Sequence, residues 1–131
     1  MKIRAQEANL RQNGQVACII LATDGESSDG NVAQALAPLK QLPVHIVLRL
    51  CTNEEKVVEY WNGVDKELEL NMDVVDDLFS EAKSIQEKNT WFTYGEPIHR
   101  MREFGITCKE YDLLDESRLS MEQMVNLCSF M

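Results

Sequence analysis

Residues 16–22, Val-Ala-Cys-Ile-Ile-Leu-Ala, form an unbroken apolar run. It is short, partly β-branched, and succeeded at once by Thr-Asp-Gly-Glu-Ser-Ser-Asp-Gly, which is loop chemistry throughout. Such a run predicts a strand buried on both faces, as in a parallel sheet. Parallel strands need long crossover connections, so the rest of the chain should alternate helix and strand.

Residues 31–89 have this rhythm. Residues 31–42 predict a helix with Val32, Leu36 and Leu39 inward, and Pro38 predicts a kink or an early end. Pro43 marks entry to a second strand, 44–50. Val44, Ile46, Leu48 and Leu50 share one of its faces; His45, Val47, Arg49 and Cys51 share the other, which should be less dry. Thr52 and Glu55 have the spacing of a capping box, for a helix running to about Trp61 with Val57 and Val58 on its apolar side. Leu68-Glu69-Leu70 predicts a short third strand. Asp73 then caps a further helix carrying Val74, Leu78, Ala82 and Ile85, closed by Lys88-Asn89. Ahead of all this, residues 3–12 are either a helix with little to bury or an irregular lead-in, ended by Asn13-Gly14.

After Asn89 the character changes. Trp91, Phe92 and Tyr94 lie close together and read as an anchor for the C-terminal segment, or as a peptide-binding patch. Residues 97–104 predict a short helix ending at Gly105, and Ser120 with Gln123 opens a last one. The expected organisation is an α/β core over 1–89 and a mostly helical C-terminal extension over 90–131.

The chain has 131 residues, enough for one domain with a core of its own. Its net charge is -9, and its densest basic cluster is only His99-Arg100-Met101-Arg102. Nucleic acid and anionic membrane surfaces are therefore poor partners. The acidity suits divalent cations, or simple solubility. Cys18, Cys51, Cys108 and Cys128 have no zinc-type spacing. Cys18 and Cys51 read as small buried hydrophobes in a reducing, cytoplasmic setting. No stretch is long and apolar enough to span a membrane.

Few motifs carry chemistry. Gly25 and Gly30 fit no phosphate-binding pattern. A Cys51–His45 nucleophile pair is unpromising, because the two residues lie at opposite ends of one strand, roughly 20 Å apart by strand rise. Asp76-Asp77 and Glu54-Glu55 are most simply solvated helix positions. Arg49 is unusual in a buried strand and should pair with Asp24, Asp29 or Glu54.

The run Ile19-Ile20-Leu21-Ala22-Thr23-Asp24-Gly25-Glu26 resembles the fourth strand and adjoining turn of von Willebrand factor A-type domains. Val74-Val75-Asp76-Asp77-Leu78-Phe79-Ser80-Glu81 resembles the last helix of that fold. The resemblance covers residues 1–89 in pattern, with Thr23-Asp24-Gly25 as its one specific motif. It implies a Rossmann-like parallel sheet with flanking helices, truncated here on its N-terminal side. It also implies one corner of a metal-ion-dependent adhesion site, with Asp24 as the matching ligand for Mg²⁺ or another divalent cation. Glu26, Ser28 and Asp29 are weaker candidates from the same loop. The Asp-x-Ser-x-Ser motif of that family is absent from this chain, so the site is degenerate or incomplete.

The expected function is protein–protein recognition without catalysis. The alternatives are a structural or regulatory fragment completed by a partner chain, and a Mg²⁺-dependent hydrolase or transferase. Truncation would leave the 16–22 strand with an open edge: the chain is then a fragment of a longer product, or pairs along that edge with another chain, a second copy included, or covers it with its terminal segments.

Overall fold

The computed structural model describes residues 2–28 and 30–130. Helix α1 (Lys2–Gln12) leads into strand β1 (Ala17–Thr23). Helix α2 (Val32–Leu36) tightens into a 3-10 turn over Ala37–Gln41, with Pro38 in its first turn. Proline cannot donate the helical hydrogen bond, which ends α2 early as its position predicts. Strand β2 (Val44–Leu50), helix α3 (Glu55–Leu68) and strand β3 (Met72–Val75) come next. Four helices complete the chain: α4 (Leu78–Lys88), α5 (Glu96–Glu103), α6 (Lys109–Leu113) and α7 (Met121–Phe130).

The fold is α/β, with a small open sheet of three parallel strands in the order β1-β2-β3. The central strand β2 is buried on both faces over residues 44–48, and the face of His45 and Val47 is the less dry one toward its carboxyl end, where Arg49 is half-buried and Cys51 exposed. Ile46, Leu48 and Leu50 pack on Ala33 of α2 and on Val57, Trp61, Val64 and Leu68 of α3. The four α3 residues recur at intervals of four and three, which puts them on one face of the helix.

β1 departs from expectation. It is an edge strand, and Ile20 and Leu21 are 43% and 36% exposed rather than buried on both faces. α1, its nearest preceding element, contributes no buried residue and is tied down by Arg11, which donates to the Gln41 carbonyl at 2.6 Å. Apolar runs signal burial only where the sheet continues beyond them, and among the described residues no strand pairs with the outer side of β1.

The third strand is also displaced. Leu68 belongs to α3, which runs past Trp61 because Val64 and Leu68 continue its apolar face. Glu69 stops the helix in the left-handed region at φ 48. β3 therefore falls on Met72–Val75, and Asp73 is a strand residue instead of a helix cap. The cap of α4 is Asp77, whose carboxylate accepts from the Phe79 and Ser80 N–H groups. The Thr52–Glu55 capping box does not form: Thr52 accepts only from the Glu54 N–H, and Glu54 opens α3 with no side-chain cap. The Ser120–Gln123 box does form, reciprocally, at 2.8 and 3.2 Å.

The C-terminal residues build a second apolar cluster. Phe92, Tyr94, Tyr111, Leu114, Leu119 and Leu127 pack with Ile85 of α4. Asn89, fully buried, orders the irregular stretch between α6 and α7. Its Nδ2 donates to the carbonyls of Leu114 and Ser117 at 2.7 and 2.8 Å, and its Oδ1 accepts from the Leu119 N–H at 2.9 Å. α5 ends at Gly105, in the left-handed region at φ 79. A Cβ there would fall onto Cys18 Sγ, so glycine is what lets this turn approach β1.

Candidate functional site

The Thr23-Asp24-Gly25 turn lies at the carboxyl end of the sheet, where open α/β sheets place ligands. It is a tied turn. Thr23 Oγ1 accepts from the Gly25 N–H at 3.4 Å and donates to the Gly25 carbonyl at 3.2 Å. The same carbonyl accepts from the Trp61 indole at 3.0 Å, which fixes the turn to α3. Asp24 itself is exposed. Glu26 is engaged by Lys56 at 3.2 Å. Ser28 lies in the same exposed loop, and Asp29 falls outside the described residues. Among the described residues, no group of three or more His, Cys, Asp or Glu side chains is arranged to hold a metal ion. The described residues thus do not by themselves assemble the Mg²⁺ site that the resemblance implies, since that ion needs near-octahedral oxygen coordination from several placed groups.

Arg49 does not join this turn. Its guanidinium reaches Glu103 at 2.7 Å instead of Asp24 or Glu54, and Asp29 lies outside the described residues. Glu103 also accepts from Arg100 at 2.7 Å. Burial opposes the Glu103 charge, but these two guanidinium groups hold its carboxyl below the usual range.

The dominant polar assembly is one that the sequence pattern does not signal. Arg102 is 2% exposed. It donates to both oxygens of Asp73, at 2.8 and 3.1 Å, to Glu81 at 2.7 Å and to the Tyr94 hydroxyl at 3.2 Å. Burial disfavours its charge, yet Asp73 and Glu81 outweigh that and raise its pKa. Because Tyr94 accepts from Arg102, its own O–H is free to donate to His99 Nδ1 at 2.9 Å. That places the ring proton on Nε2, facing Glu103 at 3.6 Å. Burial lowers the His99 pKa, consistent with a neutral ring. The basic cluster His99–Arg102 is therefore largely spent inside the protein. The (i, i+4) spacing of Glu96 with Arg100 and of His99 with Glu103 is the only sign of it in the sequence.

Beside Arg102, Asp65, Asp112, Asp115 and Glu116 close around a void of about 40 Å³. Burial, then the neighbouring Glu81 charge, pushes Asp115 up to about 7. Burial, then Asp112 and Glu116, pushes Asp65 up to about 6. A carboxyl whose folded pKa is raised adds stability when protonated, and that stability is lost as pH rises through the folded value. Asp77 and Glu103 have the opposite sign: their lowered pKa values support the fold above the usual carboxylate range and fail below it. Stability should therefore peak within the ordinary carboxylate range, at about pH 4. Melting temperature is expected to fall by a few degrees between pH 5 and pH 8, about 1–2 kcal/mol after screening of these partly exposed groups. Asp115→Asn should flatten that slope in a calorimetric pH series; a slope unchanged by the substitution would assign it elsewhere.

The remaining unusual surface is the outer edge of β1. Ala17 N–H donates to Pro43 O, and Thr23 O accepts from Cys51 N–H. Odd-numbered residues thus face β2, and Cys18, Ile20 and Ala22 turn their backbone groups outward. Cys18 and Cys51, expected to be buried, are exposed, one on this edge and one just past the end of β2. A second exposed apolar feature is a groove formed by Trp91, Met121, Met124, Val125 and Cys128. Trp91 is thus part of a surface, whereas Phe92 and Tyr94 anchor the core. No helix among the described residues is long and apolar enough to cross a membrane.

Comparison with known protein families, with curated proteins and with solved structures found no match.

Proposed function

We propose that this chain is a non-catalytic protein-interaction module of von Willebrand A type, and that its contact surface is the outer edge of β1. The observation that supports this most is the composition of that edge. Ala-Cys-Ile-Ile-Leu-Ala-Thr carries no charge, no proline and no bulge-forming glycine. Those are the usual devices that keep an open strand from pairing, and β1 has none of them. Its place in a parallel three-stranded sheet suits the last strands of a longer sheet. The Asp24 corner enters this reading as an incomplete cation site.

A second copy is the partner that this edge accommodates most simply. A two-fold axis would pair β1 with its counterpart antiparallel and make one six-stranded sheet from two chains. The net charge of -9 on each copy opposes this, so added salt should strengthen it. Sedimentation or light scattering is expected to show a dimer whose share grows between about 0.05 and 0.5 M salt. Ile20→Pro removes an outward N–H without touching the β1–β2 ladder, and should give a folded monomer. A strict monomer at every salt and protein concentration would remove self-pairing. A chain supplying further strands at the same edge is the second reading; it predicts a monomer whose stability rises when that chain is added.

Asp24 has its own test. A thermal shift with Mg²⁺ or Mn²⁺ that disappears in Asp24→Ala would restore a cation to this corner. Equal curves for the two proteins would remove it.

A further inference from the structure

Helix α7 buries one residue completely, Leu127, within the second apolar cluster. The face next to it is apolar as well, and open. Met121, Met124, Val125 and Cys128 recur at the i, i+3, i+4, i+7 spacing that makes one stripe along a helix. With Trp91 they line a groove of about 470 Å³. Met121 is 75% exposed, Val125 57% and Trp91 41%. The Trp91 ring is a fixed wall: its N–H donates to Asn89 Oδ1 at 3.3 Å, and it meets the Phe92 ring edge to face. The two methionines are unbranched and adapt to what lies against them. A contiguous apolar patch of this kind marks an interaction surface, whereas single exposed apolar residues do not.

Two observations select what it takes. The first is size. From Met121 to Cys128 the stripe runs two helical turns, about 10 Å at the rise of an α-helix. Two folded copies need about 800 Å² from each partner for a stable contact, and this patch offers roughly half of that. It matches a single helix laid along a groove, whose anchors recur at the same spacing. The second is charge. Glu122 is the only charged residue of α7, exposed on the flank of the stripe one position round from Met121. Glu110 of α6 borders the same helix, accepting from Asn126 at 3.3 Å. With no basic residue on α7 and a net charge of -9 on the chain, a partner with a positive polar face is attracted and an acidic one repelled.

We propose that this groove docks a short amphipathic helix of another protein, apolar on the face it buries and rich in Lys or Arg on the other. The groove shares no residue with the β1 edge, and docking here does not depend on pairing there.

The test uses the full chain and two synthetic peptides of about 14 residues, long enough to form a helix when bound. Both carry Leu at i, i+3, i+4 and i+7; one has Lys at the remaining positions and the other Glu. Trp91 is the reporter, since Trp61 is 5% exposed and gives a constant background. The leucine–lysine peptide is expected to shift the emission to the blue saturably, with a dissociation constant of about 10 μM. The leucine–glutamate peptide should bind at least about tenfold more weakly. Val125→Glu and Met121→Glu place a carboxylate in the stripe at exposed helix positions, where Glu is a good helix former, so the fold tolerates them. Each should abolish the shift, although each makes the protein more acidic and would strengthen a merely electrostatic attraction. No saturable shift up to about 200 μM of the leucine–lysine peptide overturns the proposal. So does equal binding of the two peptides, or undiminished binding to both variants. A wild-type dimer that Val125→Glu dissociates, with no peptide bound, overturns it in favour of a second copy.

Discussion

Arg102→Ala is expected to remove a large share of the protein's stability. The substitution strips the partner from two carboxylates, Asp73 and Glu81, that are both nearly sealed from solvent. Breaking a buried ion pair from one side costs about 3–5 kcal/mol, because the remaining charge is stranded in the interior. A domain of this size has a total stability of about 5–15 kcal/mol, so the loss is a large share of it. Urea denaturation monitored by circular dichroism should show the midpoint collapse. Arg102→Lys should recover only a part, since an ammonium cannot bridge both oxygens of Asp73 as the guanidinium does. Replacing Arg102, Asp73 and Glu81 together by apolar residues of similar volume should recover much more. A midpoint for Arg102→Ala within experimental error of wild type would mean that these carboxylates are solvated in solution.

Gly105→Ala should also be strongly destabilising. Two costs combine. An L-residue held at φ 79 pays about 1–2 kcal/mol in backbone strain. The new methyl also overlaps Cys18 Sγ, and overpacking of that kind costs about 1–3 kcal/mol. The total, about 2–5 kcal/mol, is the sum of the two. A double-mutant cycle separates them: Cys18→Ala should return the overlap part and leave the strain. Additive effects in that cycle would show that the end of α5 does not sit against β1 as described.

Much of the framework is legible in the sequence, and the reasons differ by element. β2 is placed by its entry proline and its long apolar run. α5 is placed by Gly105, and α7 by its capping box. Each of these is a local chemical signal with a local structural outcome. β3 is misplaced by pattern alone, because Leu68-Glu69-Leu70 alternates like a strand while actually closing a helix. Only the packing of Val64 and Leu68 against β2 decides between the two. For β1 the pattern gives the right conformation and the wrong environment. A continuous apolar run reports what a strand could bury, not whether a neighbour arrives.

The site is less legible still. Asp24 stands out through a three-residue pattern, and the structure puts it in an exposed turn whose neighbours are already engaged. The Arg102 assembly draws on β3, α4, α5 and the segment before α5, spread over residues 73–102. Such partners are brought together by tertiary structure alone. His45 is a poor catalytic base for Cys51 on strand geometry. Its one side-chain partner is Asn71, which periodicity does not connect to it.

Asn89 has a consequence for how this chain can vary. One amide group fixes three separate points of the path between α6 and α7, which otherwise has no repeating hydrogen-bond ladder. The shape of that loop is therefore encoded outside the loop, at the end of a helix some twenty-five residues earlier. Ser117 and Arg118, exposed in that loop, are free to drift in identity so long as the main chain reaches the same clasp. The loop behaves as a borrowed template: its own side chains can be rewritten for new contacts, while a single distant position holds the veto.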